Sequence, residues 1–209
     1  MPRTPRNDEE IEKTRNEILD HALDIIGNDG YDSLTMRRLG ARLGFAAKTI
    51  YNYYSCKEEI YIRVLTRGFE ELNKRAEEAI AGIEDPLERL RTLIHTYIDF
   101  GTGNANYYNI MFNWDVPKFS DYVGTLLEPI AFEEKTTAFH FAEIARESLK
   151  AVLFDKDLTE EELTYRILRL WSELHGIVSL SNSHGIKEFN VDISTFVERM
   201  IEEMLSLFH

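Results

Sequence analysis

Apolar residues recur at the helical spacings of three, four and seven along most of this 209-residue chain. The first run puts Ile11, Ile18, Leu19, Ala22, Ile25 and Ile26 on one face, and "GNDGY" ends it, with Gly30 able to take positive φ just past the helix. Two much shorter helices are predicted next. Thr35 caps one over Met36 to Leu43, with Leu39 and Leu43 inward and Gly44 closing it; the second runs from Ala47 to Tyr53 with Ile50 on its buried side. Ser55, three residues before Glu58, has the spacing of a capping box for a longer helix, whose stripe continues through Ile60, Val64 and Leu65 and ends near Gly82.

The pattern stays helical to the end. Pro86 sits in the first turn of "PLERLRTLIHTYIDFG", with Leu87, Leu90, Leu93, Ile94, Tyr97 and Ile98 on one side, and "NANYYNIMFNW" reads as a shorter aromatic helix. One or two helices are expected over residues 120–154, with Pro129 as a bend or break. A Thr159 cap with Glu162 opens a run through Leu163, Ile167, Leu170, Trp171, Leu174, Ile177 and Val178. The last helix aligns Ile193, Phe196, Val197, Met200, Ile201, Met204 and Leu205. No repeat or low-complexity linker interrupts the chain, so the expected fold is all-α.

Composition narrows the setting. The lone Cys56 excludes an intrachain disulfide and fits a reducing compartment. "MPRTPRNDEE" has no apolar core of a signal sequence, and no uninterrupted apolar run is long enough to span a bilayer, so a cytoplasmic location without membrane contact is expected.

Charge changes the picture more. The 24 basic and 37 acidic residues give a net −13, which by itself would repel nucleic acid. Residues 1–67, however, hold eleven of each sign, so residues 68–209 carry 13 − 26 = −13, the whole excess. Within the neutral part, Ser33 to Lys57 contains Arg37, Arg38, Arg42, Lys48 and Lys57 and no Asp or Glu. Two short helices meeting at a glycine turn and packed on a longer one form a helix-turn-helix pattern, and Lys48, Thr49, Asn52 and Tyr53 lie opposite the buried Ile50. Such side chains donate to phosphate oxygens and base edges, and a Thr methyl can touch a thymine methyl. The bland alternative, a solvated helix face, would be expected to interleave acids at i,i+4, which this window lacks.

The stretch "LTMRRLGARLGFAAKTIYNYYSCKEEIY" resembles the DNA-binding region of TetR-type (tetracycline-repressor-like) transcriptional regulators over roughly residues 11–62. Thr35, Arg37, Arg38, Leu39, Gly44, Phe45 to Thr49, Ile50, Tyr51, Tyr53, Tyr54, Lys57, Glu58 and Glu59 carry the resemblance. It implies that Thr35 and Arg37 bond backbone phosphate, that Ala47, Lys48, Thr49 and Asn52 face the major groove, and that Tyr51, Tyr53 and Lys57 anchor at its edges. The chain departs from the family pattern at Ala46, where a Ser or Thr cap is common, and at Gly40, where Ala is usual. The first costs about 1 kcal/mol of capping and the second roughly 1 kcal/mol of helix propensity. Tyr54 reads as core, and Cys56 as a small, partly buried residue without chemistry. Arg3, Arg6, Lys13 and Arg15 fit either an arm toward a groove or a frayed terminus.

The domains expected are a helix-turn-helix module at 1–67 and a helical ligand-binding and dimerisation domain at 68–209. The apolar faces of the final helices suit packing against a symmetry mate, which a twofold operator requires; the resemblance implies the same. Ile167, Trp171, Leu174, Val178, Phe196, Met200 and Met204 are the expected interface. "LWSELHG" also resembles the Trp-x-x-x-His-Gly signature of one branch of these carboxy-terminal domains, through Trp171, His175 and Gly176. Aromatic residues including Phe100, Tyr107 and Trp114 exceed what a small helical core needs, and pockets for organic effectors are mostly apolar. From that excess, Tyr97, Tyr108, Met111, Phe112, Phe139, Trp171 and His175 are the expected contacts of a small apolar or aromatic effector, against the alternative of a filled core.

Catalysis has no foothold in the sequence. His140 with Glu143 is a single reversed pair, His175 and His184 lack a spacing that brings their rings together, and there is no phosphate loop, His-Glu-x-x-His or Ser elbow. No catalytic residue, metal or cofactor is expected. The reading is a homodimeric regulator, most readily a repressor, that binds a double-stranded operator and is released by an effector; the alternative is a helical ligand-binding or interaction protein that does not bind DNA.

Overall fold

A computed structural model describes residues 7–113, 116–154, 158–189 and 191–208. The described residues are helical throughout, with no strand, and the chain divides into two compact units. One comprises Met1–Gly68 and Asn106–Thr136, the other Phe69–Ala105 and Thr137–His209. The first break falls one residue past the boundary read in the sequence, but residues 106–136 belong with the amino-terminal unit.

In the first unit, α1 (Asp8–Asp29) begins at an Asn7 capping box with Glu10 and ends at Gly30, whose φ of 83° needs a residue without Cβ. Ile18, Ala22, Ile25 and Ile26 are fully buried along it. A single 3₁₀ turn, Tyr31–Ser33, leads to α2 (Met36–Leu43). The hydroxyl of Thr35 accepts from Arg38 N at 3.1 Å, and Gly44 closes the helix in the left-handed region at φ 69°. α3 (Ala47–Ile50) is shorter than the predicted 47–53: beyond Ile50 the chain continues in tight turns, Asn52 N to Thr49 O and Tyr53 N to Ile50 O. Ala46 offers no side-chain cap, as its methyl dictates.

Two further expectations are corrected here. α4 (Lys57–Ile80) is not capped by Ser55 and Glu58. Its box is shifted by one residue: Cys56 Sγ accepts from Glu59 N at 3.4 Å, and the Glu59 carboxylate takes the Ser55 N–H and hydroxyl at 2.6 and 2.7 Å. Gly40 is more than a weak helix former, because a Cβ there would lie 2.8 Å from Phe45 O and 3.2 Å from Ala47 N. The α2–α3 turn closes onto the bare glycine, with Phe45 N donating to Gly40 O at 2.8 Å.

The unit's second stretch holds α6 (Ala105–Tyr108) and a π-type turn at Asn109–Asn113, then α7 (Phe119–Tyr122) and the start of α8 (Glu128–Val152). Pro129 neither bends nor breaks a helix; it is the second residue of α8, where no backbone donor is required. Asn106, Tyr107 and Met111 seat on glycines of α1 and α4: a Cβ on Gly27 would reach Asn106 Cγ at 2.5 Å, and one on Gly68 would reach Tyr107 Cδ1 at 2.7 Å and Met111 Sδ at 2.9 Å.

The second unit contains the rest of α4 and α8, with α5 (Pro86–Gly103), α9 (Glu160–Asn182) and α10 (Ile193–Ser206). Asp85, Thr159 and Asp192 cap their amino ends. Its interior includes Leu90, Leu93, Ile94, Tyr97, Phe100, Leu170, Leu174, Ile177, Val178, Ile201 and Met204. No described helix is long and apolar enough to cross a membrane.

Candidate nucleic-acid interface

The geometry of the first unit follows from its capped short helices. α2 buries Met36, Leu39 and Gly40, and α3 buries Ile50, which leaves Thr35, Arg37, Arg42, Lys48, Tyr51 and Asn52 exposed. Ala47, Thr49, Tyr53 and Lys57 are half-buried. All nine residues expected at DNA thus lie on α2, α3, the turns around them and the first residue of α4. Tyr54 is core: its ring is buried, its hydroxyl reaches Arg15 O at 3.4 Å, and the Arg15 guanidinium stands 5.0 Å from the ring centroid. Arg3 and Arg6 lie outside the described residues.

The five cations of the acid-free window have different surroundings. Arg37, Arg42 and Lys48 form no ion pair among the described residues, so their charge is undiminished. Arg38 is paired with Asp29, a carboxylate just outside the window, and so contributes little free positive field. The Lys57 ammonium stands 4.5 Å from the centroid of Tyr31. Tyr31 packs edge-on against the fully buried Tyr61, with centroids 4.8 Å apart at 67°. Burial, reinforced by Glu58, pushes the Tyr31 phenol up to about 12, so it stays neutral. Asp29 and Tyr31 were missed in the sequence because their partners are nine and 26 positions away.

Within the same unit, Arg67 of α4 ties α1 to α6. Its Nε donates to the Tyr107 hydroxyl at 2.7 Å, Nη2 to Asp20 at 2.6 Å and Nη1 to Asn16 O at 3.5 Å. Glu134 is half-buried, and desolvation raises its carboxyl to about 7 despite Lys118 nearby.

The expected effector residues divide between the units. Tyr108 and Met111 are buried in the first, with Phe112 5.1 Å from Tyr108. In the second, the Trp171 indole N–H donates to the Tyr97 hydroxyl at 3.0 Å, and His175 lies 5.9 Å from Trp171. Burial lowers the His175 pKa, which favours the neutral ring. Phe139 is exposed on α8, and Trp114 lies outside the described residues. A cleft of about 190 Å³ opens elsewhere, between α9 and α10, lined among others by Tyr165, Arg169, Met204 and Phe208.

The interface expectation needs correction. Leu174, Val178 and Met204 are 5%, 0% and 2% exposed within one chain, so they belong to its own core and cannot meet a partner. Ile167, Phe196 and Met200 are half-buried and Trp171 is exposed. The apolar side chains that α9 turns outward are Tyr165, Leu168, Trp171 and Leu180, and a Cβ on Gly176 would meet nothing within 4 Å.

An exposed surface bearing Arg37, Arg42 and Lys48 on a helix-turn-helix, in a chain with a second helical unit, is the arrangement expected of a DNA-binding regulator. Comparison with known proteins agrees. Residues 18–64 match the bacterial regulatory proteins of the tetR family, and residues 90–204 match the tetracyclin repressor-like C-terminal domain. The chain belongs to the tetR family. It is 26% identical over 104 residues to the HTH-type transcriptional activator FasR of Mycolicibacterium smegmatis, a match covering 50% of this chain and 48% of that protein. It is 30% identical over 80 residues to the HTH-type transcriptional repressor KstR of the same organism, covering 38% and 39%. The matches thus span about half or less of these relatives' length. The fold is shared with the fatty acid degradation regulator FadR from Bacillus halodurans, at 15% identity and a TM-score of 0.66 over 97% of each chain. These domains and relatives are regulators, not enzymes.

Proposed function

We propose that this chain acts in the cytoplasm as a ligand-responsive repressor. A homodimer binds a partly palindromic operator through α2, α3 and the start of α4, and a small apolar effector releases it. The observation that carries the reading is the set of Arg37, Arg42 and Lys48, without an ion pair among the described residues, beside the exposed Thr35, Tyr51 and Asn52, within residues 1–67, whose eleven basic and eleven acidic side chains balance. Arg37, Lys57, Thr35, Tyr51 and Tyr53 take phosphate; Ala47, Lys48, Thr49 and Asn52 take base edges. Dimerisation is supported by the outward apolar residues of α9, and by Ser172 and Gly176, whose small side chains permit close approach of a second helix. An apolar effector is supported by the aromatic residues of the second unit and by the shared fold with FadR, a fatty acid degradation regulator. Release requires the effector to prefer one of two dimer geometries, and that preference bounds its effect.

The test is duplex binding over a salt series, with fragments of the parent genome as sites. Log affinity falls linearly with log salt, and Arg37→Ala and Lys48→Ala each flatten the slope, by about 0.9 for a lost phosphate contact and less where the side chain reads a base. Absence of duplex affinity at low salt refutes the reading.

A further inference from the structure

The turn joining α1 to α2 treats two cations of the surface in opposite ways. Asp29, at its start, takes Arg38 into an ion pair, which orders the guanidinium and cancels its charge. Two residues later, Tyr31 takes the Lys57 ammonium against its ring. A π face attracts a cation through its quadrupole and carries no net charge, so it orders the ammonium without neutralising it. An ammonium has three N–H donors, and one resting on a ring keeps donors for an oxyanion.

The setting makes this seat specific. Lys57 is the first residue of α4, where the positive end of the helix dipole disfavours a cation and offers it no carbonyl. Glu59 is engaged by Ser55, Glu58 and Asp32 lie near enough to Tyr31 to act on its phenol, and Lys57 forms no ion pair with any of them among the described residues. The ring is itself fixed. Gly30 at φ 83° launches the turn, Leu34 N donates to Tyr31 O at 3.0 Å, Ser33 Oγ donates to Asp29 O at 2.8 Å, and Tyr61 holds the ring edge-on. A long lysine on a mobile rotamer set loses affinity when it must be ordered at a phosphate; a lysine already seated loses less.

We infer that Tyr31 is a positioning residue for DNA binding, whose ring holds the charged end of Lys57 ready for a backbone phosphate. The inference rests on the DNA-binding reading above and adds a residue that makes no contact with DNA. Because the group positioned is a phosphate ligand, its effect is the same for every duplex sequence.

The test is a double-mutant cycle on the full chain, measured as duplex affinity at fixed low salt. The variants are Tyr31→Leu, Tyr31→Phe, Lys57→Met and the Tyr31→Leu/Lys57→Met pair. Tyr31→Phe keeps the ring and binds like the parent chain. Tyr31→Leu weakens binding on the order of two- to fivefold, and adds no further loss once Lys57 is Met. A merely structural role would cost the same in both backgrounds, and that result, or a loss in Tyr31→Phe equal to that in Tyr31→Leu, overturns the inference. An independent reading needs no folded variant: ring current shifts the Lys57 ε-methylene protons upfield in the free protein, and unshifted protons also overturn it. Failure of the parent reading looks different, with wild-type affinity indifferent to salt and to Lys57→Met.

Discussion

Gly68 on α4 offers a test of how tightly residues 106–113 are seated in the first unit. An alanine methyl at 68 would stand 2.7 Å from Tyr107 Cδ1 and 2.9 Å from Met111 Sδ. Carbon atoms rest at about 3.5–4.0 Å, so the ring must retreat by roughly 1 Å. It is not free to do so, because the Tyr107 hydroxyl accepts from Arg67 Nε at 2.7 Å, and Arg67 is fixed in turn by Asp20 at 2.6 Å. Overpacking of this kind costs about 1–3 kcal/mol, against which Gly to Ala in a helix returns about 1 kcal/mol. Because the ring is held, the cost falls at the upper end of that range, and the expected net loss is about 2 kcal/mol. Gly27→Ala is the internal control, since the nearest atoms to its new methyl would be the terminal amide of Asn106, at 2.5–2.8 Å, which can rotate away; its net effect is within about 0.5 kcal/mol of zero. Urea midpoints at equal protomer concentration, with unchanged m, measure both. If Gly68→Ala proves as stable as Gly27→Ala, Tyr107 is not held as argued.

Two other perturbations read other parts of the chain. The folded chain protonates Glu134 at about 7 and the unfolded chain near 4.5, so this group lowers stability as pH rises through that window. Glu134→Gln is therefore expected to be more stable than the parent at pH 8, by up to about 3 kcal/mol, with the gap closing by pH 4.5 in thermal melts; a variant less stable at both pH values contradicts the burial argument. On α9, Leu168→Arg is expected to yield monomers in light scattering with helix content intact, whereas Leu174→Ala, inside the protomer core, costs about 2–5 kcal/mol and leaves association unchanged. A Leu168→Arg protein that stays dimeric rules out the outward face.

What the sequence disclosed was carried by local signals. Thr35, Gly44, Pro86 and Thr159 mark helix ends through groups within four residues, and the structure places those ends as read. Where a competing local solution existed, the reading slipped: Ser55 with Glu58 and Cys56 with Glu59 are equally spaced, and only the backbone geometry of the entry turn selects the second. Periodicity identified the apolar stripe of α9 but not its destination. A stripe through Leu170, Leu174, Ile177 and Val178 satisfies an internal core as well as a partner, and the internal core claims it. The Asp29–Arg38 and Lys57–Tyr31 contacts, and the placing of residues 106–136, are tertiary, with no spacing signature at all.

The electrostatics resolve an apparent conflict between a net charge of −13 and a polyanionic partner. At physiological ionic strength exposed charges act over about 8 Å, so a phosphate at α2 or α3 would be governed by the side chains around it, Arg37, Arg42, Lys48 and Lys57 among them, rather than by the net charge of the whole chain. Those cations are few, and Arg38 is withdrawn by Asp29. Weak non-specific attraction follows from so small a count of free charges, since that attraction grows with the number of phosphates neutralised. Discrimination must then come from short-range contacts that demand fixed geometry, which places a premium on ordering each remaining cation without neutralising it. Gly40, by letting the turn close on α2, and Tyr31, by seating Lys57, serve that requirement through shape rather than through added charge.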